Sequence, residues 1–74
     1  MGSKKDYNDV MLVKETNFTQ VTMILKAKGY LVTEMKNGEF EAISDSEKSS
    51  FRKKIKVNQF VYFNDNRIVD VSND

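Results

Sequence analysis

From Val21 to Met35 every second residue is apolar or small: Val21, Met23, Leu25, Ala27, Gly29, Leu31, Thr33 and Met35. The residues between them (Thr22, Ile24, Lys26, Lys28, Tyr30, Val32, Glu34) carry most of the polarity and all of the charge. Successive side chains of an extended chain point to opposite faces, so this alternation predicts one long, half-buried strand. Such a strand far exceeds the usual length and must bend within a small protein. Gly29 lies at its centre, where the missing side chain permits a sharp coil of the sheet. A long, bent first strand is how a small closed barrel shares one strand between two layers.

The competing reading is a helix from about Phe18 to Lys28, with Asn17 before it and Gly29 to stop it. Phe18, Val21, Leu25 and Ile24 have helical spacing. Against it, Phe18, Thr19, Val21, Thr22 and Ile24 are poor helix formers. A helical stripe also leaves Met23 and Ala27 without a role, whereas the strand uses both as inward side chains, with Met23 and Met35 as core fillers.

The strand ends at Asn37-Gly38, the preferred pair for a two-residue hairpin turn. That turn predicts Lys36 opposite Glu39, Met35 opposite Phe40, Thr33 opposite Ala42 and Val32 opposite Ile43. Earlier in the chain, Val10 to Val13 is a short apolar patch fit to add a strand. Residues 1–9 read as a flexible tail and 10–72 as a single domain. Ser44 to Ser50 is a loop by composition. Phe60-Val61-Tyr62-Phe63 and Arg67-Ile68-Val69-Asp70-Val71 read as a second hairpin around Asn64-Asp65-Asn66. A three-residue loop, the preferred reading, sets Val61 opposite Val69 and turns Val61, Phe63, Val69 and Val71 inward, with Phe60, Tyr62, Ile68 and Asp70 on the other face; a two-residue loop reverses the pairing.

The predicted fold is therefore all-β: a small five-stranded OB-like barrel with room for one short helical turn. The alternative is an α+β fold with a helix at about 18–28. With 74 residues the chain has room for one thin core. It contains no cysteine and no histidine, which removes disulfides, the common metal sites and the usual general base. Three scattered glycines make no phosphate-binding loop. The expectation is a protein that is not an enzyme, with no cofactor and no metal. No apolar run spans a bilayer and no secretory pattern opens the chain, so no membrane association and a cytoplasmic location are expected. Twelve basic and eleven acidic residues give a net charge of +1, so any polyanion site must rest on local clustering.

The stretch from Lys28 to Ile43, KGYLVTEMKNGEFEAI, resembles the first hairpin of bacterial translation initiation factor one and of its archaeal and eukaryotic counterpart, factor one-A. Phe51-Arg52-Lys53-Lys54-Ile55-Lys56-Val57-Asn58 is similar to that family's basic short helix and the approach to its fourth strand. Arg67 to Val71 is similar to its fifth strand. Between Asp45 and Phe51 the chain is short of the family pattern, leaving little room for a third strand. The resemblance implies an S1-like OB barrel and contact with ribosomal RNA.

Two functions follow as expectations. The first is an RNA- or single-stranded-DNA-binding module. Arg52, Lys53, Lys54 and Lys56 would contact phosphates, while Phe60, Tyr62 and Tyr30 offer rings on which bases stack. The second is a small protein-interaction module, an inhibitor or adaptor of the kind carried by phages and mobile elements. Tyr30, Val32 and Ile43 would form its apolar patch, and a protein would be its partner.

Overall fold

The structure, a computed structural model, describes residues 6–36, 38–44 and 52–73. In chain order the elements are β1 (Asp9–Leu12), a 3-10 turn (Glu15–Asn17), α1 (Phe18–Ala27), β2 (Tyr30–Glu34), β3 (Glu39–Ser44), β4 (Arg52–Lys56), β5 (Gln59–Asn64) and β6 (Arg67–Asn73). The strands form two three-stranded antiparallel sheets, β1-β5-β6 and β2-β3-β4. The fold is thus mostly β, as expected, but among the described residues the strands do not close into one barrel.

The main correction concerns the long strand. Its first half, Val21 to Ala27, belongs to α1, the helix that the competing reading placed at about 18–28. Phe18, Val21 and Leu25 share one face, and Val21 and Leu25 are fully buried in the common core. Tertiary burial of that stripe outweighs the poor intrinsic propensities of Val21, Thr22 and Ile24. Asn17 fixes the approach to the helix. Its side-chain oxygen accepts from the Lys14 N–H at 2.8 Å, and its amide donates to the Leu12 carbonyl at 2.9 Å. Gly29 ends the helix. At a φ of 98° its N–H donates to the Lys26 carbonyl, a left-handed stop rather than a strand coil. Met23, expected inside, is 63% exposed on the outer side of the helix.

Beyond Gly29 the alternation does mark a strand, β2, paired with β3 one residue out of the expected register. Val32 lies opposite Ala42, Leu31 opposite Ile43 and Glu34 opposite Phe40. The Met35 N–H donates to the Glu39 carbonyl at 2.8 Å, so three residues rather than two separate the closing pair. Gly38, at a φ of 69°, supplies the left-handed position that a three-residue hairpin loop requires. Phe40 and Ala42 face the core as expected, but the shift turns Tyr30 and Val32 inward beside them and leaves Met35, expected inside, 41% exposed.

The basic segment is a strand, β4, and not the short helix that the resemblance implies. A tight turn at Val57-Asn58, with Asn58 at a φ of 71°, carries the chain from β4 into β5 and so from one sheet to the other. The second hairpin forms, but around a two-residue turn, Asp65-Asn66, and not the expected three-residue loop: Asn64 pairs with Arg67, and an irregularity between Tyr62 and Phe63 then sets Val61 opposite Val71 rather than Val69. Val61, Phe63 and Val71 turn inward, and Ile68, expected outside, also packs against the core. The Val10–Val13 patch adds β1 to β5, which leaves Val13 fully buried. Asp6 to Asn8, read as tail, run beside β5: Asn8 N–H donates to the Phe63 carbonyl, and its side-chain amide to the Asp65 carboxylate. The predicted loop at 45–50 lies outside the described residues.

Both sheets and α1 turn their apolar faces onto one core, with Val21 and Leu25 from the helix, Phe40, Ala42 and Ile55 from one sheet, and Val61 and Phe63 from the other. Each sheet is left with an outer face, and these two faces carry the candidate surfaces.

Candidate interaction surfaces

The outer face of β2-β3-β4 is built by cross-strand pairs. Leu31 lies opposite Ile43, Thr33 opposite Glu41, and Ile43 opposite Arg52. Further along, Lys54 lies opposite Glu41 and Lys56 opposite Glu39. Arg52, Lys54 and Lys56 therefore share this face with two carboxylates, and Arg52 reaches diagonally to Glu41 at 3.3 Å. Opposite charges in register stabilise the sheet and offset part of the positive field that a phosphate would feel. Lys53 belongs to the other side of β4, opposite Ala42. The four basic residues expected to act together are thus divided three to one between the two sides of one strand.

Tyr30 is not an exposed ring. It is 9% exposed, and its hydroxyl accepts a hydrogen bond from the Ile68 N–H at 2.9 Å. It carries neither base stacking nor a protein-binding patch. Val32 is half-buried against the core, and its cross-strand neighbour is Ala42, not Ile43. The apolar pair on the outer face is Leu31 with Ile43, and Leu31 is 55% exposed. Sequence reasoning missed Leu31 because the expected register turned it inward.

The outer face of β1-β5-β6 has a different character. Phe60 lies opposite Leu12, and Tyr62 lies opposite Val10. On the other flank, Tyr62 lies opposite Asp70 and Phe60 opposite Ser72. The Phe60 and Tyr62 rings are 6.4 Å apart. Tyr7, just before β1, packs edge-on against Tyr62 with ring centroids 4.8 Å apart. Tyr7 and Val10 are 46% and 44% exposed. This face gathers three aromatic rings and two aliphatic side chains. Among the paired residues its charged members are Asp70 and Arg67, which lies opposite Asn64. Phe60 and Tyr62 face outward as the alternation predicted. Tyr7 was hidden by its position in a polar stretch, although its place before the Val10–Val13 patch was a usable signal.

Among the described residues no cluster of acidic side chains is placed to hold a metal ion, and no helix is long and apolar enough to cross a membrane. Comparison with protein-family models, curated proteins and solved structures finds no match for this chain.

Proposed function

We propose that this chain is a small non-catalytic protein-interaction module whose contact surface is the outer face of β1-β5-β6. The observation that carries the reading is the row Tyr7, Tyr62 and Phe60, flanked by Val10 and Leu12. Aromatic side chains on a rigid sheet are the usual anchors of protein interfaces, because they bury much area with little loss of rotamer freedom. Its paired charges, Asp70 and Arg67, balance, so the face lacks the clustered cations that a polyanion would need. A cytoplasmic setting is consistent with a chain that has no cysteine.

A nucleic-acid-binding OB-like module is the second reading. The support for it is that Phe60 and Tyr62 lie on one sheet face, as base stacking requires. It is the weaker reading because Arg52, Lys54 and Lys56 cluster on β4 of the other sheet, where Glu39 and Glu41 oppose them, while Arg67 is balanced by Asp70 on the aromatic face.

Photo-crosslinking separates the two. With a photoreactive residue at position 10, the module reading expects discrete protein adducts that Tyr62→Ala reduces. A control at Gln20, on the exposed side of α1, should give none of these adducts. Nuclease-sensitive adducts at position 10 would favour the second reading.

A further inference from the structure

Every sheet edge exposes backbone groups that another strand can pair with, and proteins commonly block them. In the β1-β5-β6 sheet both edges carry such blocks. On β1 the Val10 N–H donates to the Asp9 carboxylate at 2.9 Å, and the Leu12 carbonyl accepts from the Asn17 amide at 2.9 Å. On β6 the Val71 N–H donates to the Asp70 carboxylate and the Ile68 N–H to the Tyr30 hydroxyl, each at 2.9 Å.

The edge at β4 differs. The Val57 N–H, just past the strand, donates to the Gly38 carbonyl, whereas the Lys56 N–H donates to the Gln59 side chain. Backbone groups alternate in direction along an antiparallel strand. Ile55 and Lys53 therefore bond toward β3, while Arg52, Lys54 and Lys56 direct their backbone groups away from it. At Lys56 the N–H is capped; at Lys54 no side chain of the described residues caps the edge. The open backbone positions are thus the ones whose side chains stand on the outer face, beside Glu39 and Glu41.

From this geometry we propose that β4 is a strand-addition site for an extended acidic segment of a partner protein. An added strand would pair its backbone with Lys54 and with the free groups of Arg52 and Lys56. Its carboxylates, at alternate positions, would lie beside Arg52, Lys54 and Lys56. The outer face would then run acid on β3, base on β4 and acid on the partner, each cation flanked on both sides. Charge complementarity selects this occupant. A second copy pairing β4 with β4 would set lysine beside lysine, which is repulsive. Arg52 keeps 63% of its side chain exposed despite its contact with Glu41, so its outward side remains available. The inference rests on reading the chain as a protein-interaction module but uses a different surface from the aromatic face.

The test is titration of the whole chain with a synthetic ten-residue peptide carrying glutamate at alternate positions with threonine and valine between them. Binding is read by amide chemical shifts and by hydrogen exchange at Lys54. The proposal expects binding, new protection of the Lys54 N–H, and about two- to fivefold weaker affinity for Lys54→Gln. N-methylation of alternate peptide amides should abolish binding. The Gln variant keeps a strand-compatible side chain, and unchanged circular dichroism will establish that it folds. Equal binding of the N-methylated peptide, or no binding at millimolar peptide, overturns the proposal and assigns the lysines to guarding the edge. Tighter binding of an oligouridylate to the same amides also overturns it. Neither result bears on adducts formed from position 10, so the two readings fail separately.

Discussion

The Tyr30 hydroxyl accepts a hydrogen bond from the Ile68 backbone N–H at 2.9 Å, joining β2 of one sheet to β6 of the other. It also satisfies an edge donor that would otherwise lie half-buried without a partner. Tyr30→Phe keeps the ring and removes that acceptor, which should destabilise the fold by about 1–3 kcal/mol. Urea denaturation measures the change. If Tyr30 acted instead as an exposed stacking ring, the substitution would leave stability unaltered.

Leu25 and Met23 separate the helix from the strand that the alternation suggested. Leu25 is fully buried, and Leu25→Ala should destabilise by about 2–5 kcal/mol through lost burial and the cavity left behind. Met23 is 63% exposed, so Met23→Ala should change stability by no more than about 0.5 kcal/mol. Comparable losses from both substitutions, seen in thermal or urea unfolding, would restore the strand.

Gly29 tests the same point through the backbone. Among the described residues, and apart from its two chain neighbours, nothing lies within 4 Å of where a Cβ would stand, so space does not forbid a side chain there. Its φ of 98° does, because L residues are strained in that region. Gly29→Ala should therefore destabilise by about 1–2 kcal/mol. In an ordinary strand conformation the same change would be neutral or stabilising, and the unfolding midpoint would rise or stay.

The parts of the fold legible in the sequence were those set by local chemistry. The hairpin at Asn37-Gly38, the second hairpin around Asp65 and the strand at Val10–Val13 each carry their own turn or alternation signal. The helix was written twice over: Val21 and Leu25 are both two-apart and four-apart neighbours of apolar residues. Only burial against Phe40 and Phe63 decides between the periods. The register of β2 against β3 turned on Gly38 taking the left-handed position of a three-residue loop, which Asn-Gly alone does not reveal. At the candidate surfaces, Phe60 and Tyr62 were placed correctly by alternation. Tyr30 was misjudged because its partner, Ile68, is distant in sequence. The basic segment looked like one cluster, yet a strand sends Lys53 to one side and Arg52, Lys54 and Lys56 to the other.

The face carrying Tyr7, Val10, Phe60 and Tyr62 is the surface we propose to meet a protein. The most direct measurement of that contact is photo-crosslinking from position 10 in an extract of the source cell, with the adducts treated separately with nuclease and with protease. A protein partner on this face gives protease-sensitive, nuclease-resistant adducts of defined mass that diminish in Tyr62→Ala and do not form from position 20. Adducts that nuclease removes, or equal and diffuse labelling from both positions, would contradict it.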